Sequence, residues 1–316
     1  MTTMDWSPKR VLVTGGAGFI GSHLSSKVLQ LGANVTVLDD CSSGDSAKVP
    51  PGANFIEGCI TNPEIRESLL NDADVVFHLA AIASVPLCED DPRHSDLVNR
   101  QASLDIILDS GCPVIFASSA AIYGEPVSIP INETHPIKPL GHYGDQKAAV
   151  DSAIRSLGVG SNPATALRFF NVFGQGQDPS SQYSGVLSIF IDRATTNRPL
   201  TIFGDGEQTR DFIHVSDVIS ALIACAESLL ELGTMSPAHG EAFNICTGKP
   251  VTLNQVVKVI DESIEGSLEC RYEDERAGDI KHSSGDCSKL QDMFDWSPMI
   301  SLTEGLSDLI SNSQDV

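Results

Sequence analysis

The chain is predicted to fold as an α/β protein, a doubly wound parallel sheet covered by helices on both faces, with a smaller C-terminal lobe. Three observations predict it. Short apolar runs recur at 11–14, 35–38, 54–56, 74–79, 113–117 and 164–168 with helix-like segments between them, the pattern of strands buried on both faces. The segment Thr14 to Gly21, TGGAGFIG, joins the first run to a helical stretch, so Gly15, Gly18 and Gly21 let the chain turn tightly and approach a phosphate at a helix start. The second run, Val35-Thr36-Val37-Leu38, ends in Asp39, where a carboxylate accepts both hydroxyls of an adenosine ribose.

The later elements follow in order. His78 closes the run Val75-Val76-Phe77-His78 and reads as a core histidine, because no second ligand stands at metal spacing and no HExxH occurs; no metal is expected. Val114-Ile115-Phe116-Ala117 ends in Ser118-Ser119, at the edge where open α/β sheets place their sites. Tyr143 and Lys147 lie in HYGDQKAAVDSAI, which becomes helical, and four-residue spacing puts both side chains on one face. Each feature alone is common, since a serine also suits a turn or cap and a Tyr-Lys pair also suits a solvated surface. After about residue 172 the texture changes to GQGQDPSSQYSG, then a helix-like stretch 186–196, then the loop FGDGEQTRDF. Residues 216–230 read as a long buried helix with Ser216 as N-cap, and 252–264 as another opened by Thr252. The division expected is a dinucleotide-binding unit over 1–175, rejoined by 212–245, and a lobe from 176–211 and 246–316. Residues 311–316 read as a loose polar tail.

Composition bounds the function. With 316 residues at 41% hydrophobic, the chain buries a sizeable core. A formal charge of −22, from 42 acids against 20 bases, argues against nucleic acid and anionic membrane as partners, because the field repels polyanions. The eight cysteines, at 41, 59, 88, 112, 225, 246, 270 and 287, form no CxxC pair and read as scattered thiols of a reducing cytoplasm. Neither a signal segment nor a run approaching the roughly 20 apolar residues of a membrane span is expected.

Taken together, the glycine-rich turn, Asp39, LAA at 79–81, Ser119, AIYG at 121–124 and the YxxxK of Tyr143 and Lys147 resemble the extended short-chain dehydrogenase/reductases, which have a Rossmann fold. More narrowly the chain resembles their NAD-dependent nucleotide-sugar epimerases. The likeness continues through LRFFNVFG (167–174), RPLTIFGDGEQTRDFIHVSDV (198–218), FNICTG (243–248) and ERAGDIKHS (275–283). It implies NAD held by Gly15, Gly18, Phe19, Ile20, Gly21, Asp39, Asp40, Leu79, Ala80, Ala81, Tyr143 and Lys147. It implies a UDP-sugar held by Ser84, Ser119, Asn171, Val186, Arg210, Arg276, Asp279 and Ser283, with the arginines on the diphosphate and Asp279 on the nucleoside ribose. It also implies a homodimer through helices at 93–110 and 144–157. Asp39 favours NAD over NADP, since a carboxylate there repels a 2′-phosphate.

By the same resemblance, Ser119 and Tyr143 share the proton of the sugar 4-hydroxyl while C4 is oxidised, and Lys147 holds the nicotinamide ribose. A tyrosine has a pKa of about 10, so a base useful near neutrality must gain about 4 kcal/mol. One ammonium about 6 Å away, at an effective dielectric of about 20, supplies near 3 kcal/mol. The positive charge of the oxidised nicotinamide is expected to supply the rest, making Tyr143 most basic when NAD is bound in its oxidised form.

Related 4,6-dehydratases and decarboxylases carry an acid just after this Ser or Thr, whereas Ala120 and Ala121 follow Ser119, which favours 4-epimerisation. Ser283 stands where relatives restricted to glucose and galactose tend to have Tyr. A serine leaves room for a 2-acetamido group, so UDP-N-acetylglucosamine and UDP-glucose are both expected substrates. The chain departs from the family at Cys59, commonly an Asp near the adenine, at Gly141-His142 in place of Ser-Pro, at Gln146 in place of Ser, at Phe169 where Tyr is frequent, and in a helix 99–110 about a turn short. Competing readings are a UDP-glucuronate 4-epimerase, a 4-keto-sugar reductase, or a non-catalytic dinucleotide sensor. Sensors usually lose the Tyr or the Lys, and this chain keeps both.

Overall fold

The computed structural model describes residues 4–178, 185–264, 268–275 and 279–314. Strand and helix alternate from the start: β1 Arg10–Thr14, α1 Phe19–Gln30, β2 Asn34–Asp39, β3 Asn54–Glu57, α2 Pro63–Asp72 and β4 Val75–His78. There follow α3 Val85–Asp90, α4 Pro92–Asp96, α5 Ser103–Asp109, β5 Val114–Ser119, α6 Gly141–Arg155 and β6 Ala164–Phe169. Local chemistry sets the helix starts. Asn62 accepts from the N–H groups of Glu64 and Ile65 ahead of α2, and Asp91 accepts from His94 N–H ahead of α4, each with proline in the first turn.

The lobe is built from β7 Asn171–Phe173, α7 Val186–Thr195, β8 Leu200–Phe203, β9 Thr209–Arg210 and β10 Phe212–His214. The chain then returns to the main sheet through α8 Val215–Leu232 and β11 Glu241–Ile245, and ends with β12 Val251–Thr252, α9 Leu253–Asp261, β13 Cys270–Glu273, α10 Ser288–Phe294 and α11 Leu302–Gln314. Seven strands form one parallel sheet in the order β11-β6-β5-β4-β1-β2-β3. The chain winds outward both ways from the β1–β4 boundary, and the ends of these two strands open the crevice in which such sheets bind ligands. One face is packed by Trp6, Leu24, Phe243 and the apolar side of α8, the other by Leu70, Ile106, Phe116 and Val150. A third cluster around Phe190, Ile202, Val256 and Leu306 is the core of the lobe. Its two-stranded pairs, β7 with β10, β8 with β13 and β9 with β12, went unpredicted because strands of two to four residues carry no legible period.

Three sequence expectations are corrected. Ser216 does not cap α8: the chain is still extended at His214, whose Nδ1 accepts from Ser216 N–H at 3.3 Å, so the helix begins one residue earlier. Residues 215–235 are long and apolar enough by composition to cross a bilayer, contrary to the expectation of no such run. The reason lies in packing, because α8 buries Val218, Leu222, Cys225 and Leu229 against α1 and the sheet. Residues 311–314, read as part of a loose polar tail, continue α11, whereas the helix expected at 93–110 is present, a π-helical turn at Leu97–Ala102 joining α4 to α5.

A buried ion pair ties α6 to the sheet. Arg168 on β6 donates from Nε and Nη2 to the two carboxylate oxygens of Asp151 on α6, at 2.9 and 2.7 Å, and both side chains are fully buried. Ser118 Oγ on β5 donates to the same carboxylate at 3.0 Å. Arg168→Ala leaves Asp151 buried and unpaired, so urea unfolding should show a loss of about 3–5 kcal/mol. A loss below about 1 kcal/mol, the range of exposed pairs, would contradict this reading.

Candidate functional site

The glycine turn is shaped by close approach. Gly15 has φ +74°, and a Cβ there would lie 2.6 Å from the backbone nitrogen of Ala80; one at Gly21 would lie 2.1 Å from the Gly15 carbonyl oxygen. The turn is therefore pressed against the Leu79-Ala80-Ala81 segment leaving β4. α1 starts from Gly18 without a side-chain cap, so the first N–H groups of the helix, at Phe19, Ile20 and Gly21, are left for another acceptor.

Asp39, at the end of β2, accepts from Ala17 N–H and Cys41 N–H at 2.9 Å each. Burial raises its pKa, and these two donors oppose the rise. Asp40 turns outward and accepts from the N–H and hydroxyl of Ser42 at 3.0 and 2.6 Å. His78 is a core residue, as expected. Ser103 Oγ donates its proton to the Val98 carbonyl at 3.4 Å, which assigns His78 Nε2 as the donor to Ser103 at 2.8 Å and Nδ1 as the acceptor from Thr14 Oγ1 at 2.7 Å. Burial pushes its pKa down to about 3.

The catalytic candidates meet at the end of β5. Ser119 is the last residue of the strand, and its Oγ accepts from Ala121 N–H at 3.2 Å. Tyr143, half-buried in the first turn of α6, has its pKa raised by burial, while the nearby Ser119 hydroxyl pulls the other way. One helical turn on, Lys147 is buried; its Nζ donates to the Ala117 carbonyl at 2.8 Å and lies 4.6 Å from the centre of the Phe116 ring. Asn99 and Gln146, two buried amides, pack behind them. Asn99 Nδ2 donates to Gln146 Oε1 at 2.8 Å, and Asn99 also brackets the backbone of Ile82. Ser84 is buried at the start of α3, where its hydroxyl accepts from Leu87 N–H at 3.1 Å.

The substrate-side residues form a second group. Asn171, Val186, Arg210 and Asp279 line one cavity of about 530 Å³ together with Arg193 and Phe203. Arg210 Nη2 donates to Asp279 at 2.6 Å, so the expected phosphate-binding arginine is matched to the expected ribose-binding acid. Ser283 lies beside this wall, with its N–H donating to the Thr209 carbonyl at 3.1 Å. Arg276 lies outside the described residues. The sequence reading missed Arg193, Phe203 and Gln208 on the cavity wall. Arg193 had a signal available, the one cation in the mostly apolar helix VLSIFIDRAT.

Residues 11–246 match the model of the NAD dependent epimerase/dehydratase family. The chain belongs to that family. It is 34% identical over 314 residues to a putative UDP-glucose 4-epimerase of Methanocaldococcus jannaschii, covering 95% of this chain and 97% of that one. Among solved structures it is similar to UDP-glucose 4-epimerase of Thermotoga maritima with UDP-glucose, at 35% identity, 97% and 99% coverage and a TM-score of 0.88. It is similar also to UDP-N-acetylglucosamine 4-epimerase of Methanobrevibacter ruminantium in complex with UDP-N-acetylmuramic acid, at 36% identity, 97% and 99% coverage and a TM-score of 0.88.

The residues present fit the NAD of an epimerase/dehydratase. A turn that admits only glycine, an uncapped start to the twelve-residue α1 and a carboxylate at the end of β2 are what a pyrophosphate and an adenosine ribose require. Burial pushes the Lys147 ammonium down to about 7 from the ordinary 10.5. Between these values the unfolded chain holds the proton more strongly, so the lysine's contribution to stability is full above about 10.5 and is lost as pH falls through about 7. The stability of wild type relative to Lys147→Met, read by urea titration, should rise from pH 7 to about pH 9.5. A constant difference would mean that the ammonium is hydrated.

Proposed function

We propose that this enzyme inverts C4 of a UDP-sugar, taking UDP-N-acetylglucosamine and UDP-glucose to their galacto epimers. The observation that carries the reading is the meeting of Ser119 and Tyr143 beside buried Lys147, with alanines at 120 and 121 where an eliminating enzyme needs an acid. Bound NAD supplies the oxidising and then the reducing equivalent at C4. The residues do the rest. Ser119 and Tyr143 hold the 4-hydroxyl, Tyr143 takes its proton, and the same pair returns a proton after the 4-keto sugar has turned its other face. Lys147, one helical turn from Tyr143, lowers the cost of the phenolate while it holds its proton, which burial confines to pH values up to about 7. Arg210 grips the diphosphate, Asn171 and Val186 border the sugar, and Asp279 takes the nucleoside ribose. A guanidinium suits the diphosphate because its fork matches paired oxygens.

Two further features belong to the same reading. Leu97 and Leu108, 46% and 61% exposed on the helical rod 92–109, suit a homodimer in which this rod and α6 pack on their copies. The eight free thiols suit a cytoplasmic setting.

Incubation of the purified protein with each sugar nucleotide, without added reductant and followed by NMR of the anomeric protons, tests the reaction and the role of Ser283 together. Wild type should epimerise UDP-N-acetylglucosamine at least as well as UDP-glucose. Ser283→Tyr should lose the acetamido activity selectively, since the ring fills the space of the N-acetyl group. Equal loss of both activities would refute the assignment of Ser283, and conversion of neither sugar by wild type would refute the function.

A further inference from the structure

The substrate wall is made of two chain segments joined by a series of links. Arg210 pairs with Asp279, Thr209 N–H donates to the Lys281 carbonyl at 2.9 Å, Ser283 N–H donates to the Thr209 carbonyl at 3.1 Å, and Gly285 N–H donates to Asp211 Oδ2 at 3.2 Å. Alternate residues 279, 281, 283 and 285 are thus joined to 209–211. The last link differs in kind from the others. Arg210 and Asp279 are open to solvent, with side chains 16% and 44% exposed, whereas Asp211 is fully buried.

The Asp211 carboxylate is surrounded by donors. Oδ1 accepts from Thr247 N–H at 2.8 Å and Thr247 Oγ1 at 2.7 Å, and Oδ2 accepts from Gly248 N–H at 2.9 Å as well as from Gly285. Its own carbonyl accepts from Asn171 N–H at 3.1 Å. Only a group that accepts on both oxygens satisfies this arrangement. An asparagine places an NH₂ against two of the donors whichever way it is turned. The packing behind Gly285 allows little adjustment, since a Cβ there would stand 2.4 Å from Cys246 Sγ and 2.8 Å from Phe170 Cζ.

We infer that Asp211 is the positioning residue of the substrate site: its buried carboxylate locks the 283–285 segment and the Thr247–Gly248 turn to β9, fixing Arg210, Asn171 and Ser283 relative to one another. Asp211 is fully buried and does not line the cavity. It therefore governs affinity for the UDP-sugar and leaves the Ser119, Tyr143 and Lys147 group, which stands on β5 and α6, undisturbed. The inference rests on the UDP-sugar reading above and names a residue on which that reading depends.

The test is calorimetric titration of wild type and Asp211→Asn with UDP and, separately, with NAD, beside steady-state kinetics. Loss of a charged hydrogen-bond acceptor is worth about 1.5–3 kcal/mol, so Asp211→Asn should weaken UDP binding and raise KM by about ten- to a hundredfold. NAD affinity and kcat at saturation should stay within about threefold. Unchanged UDP affinity, or a parallel loss of NAD affinity, overturns the inference. Should Asp211→Asn fail to fold, Thr247→Val removes one donor of the four and should weaken UDP binding by at least about threefold, with no change again overturning it. Wild type that binds UDP without epimerising refutes the function while the two affinities still decide the role of Asp211, and wild type that binds no UDP refutes both.

Discussion

The geometry of the reacting groups depends on the buried pair between Arg168 and Asp151. Tyr143, Lys147 and Asp151 follow one another at four-residue intervals on α6, so they share a face, and pinning Asp151 sets the rotation of the whole face. The same carboxylate accepts from Ser118, the neighbour of Ser119, which fixes the end of β5 against that helix. Arg168 continues the network, donating from Nη1 to the Tyr123 hydroxyl at 2.8 Å and the Glu133 carbonyl at 3.1 Å, and Tyr123 donates to Asn244 at 2.6 Å. Two charges removed from water are costly, and replacing such a pair by apolar side chains often leaves stability unchanged or improved. What it offers over an apolar contact is direction, since a bidentate bond permits one rotation of α6 relative to β5 where packing alone permits several.

Charge is deployed locally against a strongly acidic whole. The chain carries a formal −22, yet it must bind two diphosphates. On the proposed reading it does so with short-range groups, the N–H groups at the start of α1 for one and Arg210, already matched to Asp279, for the other. Surface charges beyond about 8–10 Å are screened at ordinary ionic strength, while buried ones are not. The hydrogen bond of Lys147 goes to a carbonyl rather than a carboxylate, so no acid cancels the charge it carries when protonated.

What could be read from the sequence follows from the range of the interactions. Six of the seven strands of the main sheet were legible because each is a short apolar run, while β11, which joins the sheet from far along the chain, was not. The placing of Asp39 and Ser119 at one edge of the sheet was legible because the strands of a parallel sheet end at the same edge, and Tyr143 with Lys147 because four-residue spacing puts them on one helix face. The residues that hold this group in place were not. Arg168 and Asp151 are 17 residues apart, Asn99 and Gln146 are 47 apart, and Asp211 and Gly285 are 74 apart, and no local period announces such bonds. The length of α8 misled for a related reason: composition gives its apolarity, and only the fold shows that α1 and the sheet supply the covering.

The most direct test of transient oxidation at C4 is the fate of the hydrogen on that carbon. UDP-N-acetylglucosamine deuterated at C4 should give, in ordinary water and without added reductant, a galacto epimer that keeps its deuterium at C4, because the hydrogen leaves and returns within one closed site. Epimer that has exchanged deuterium for solvent hydrogen would contradict the account, since it would place a carbon acid at C4 in place of an oxidation.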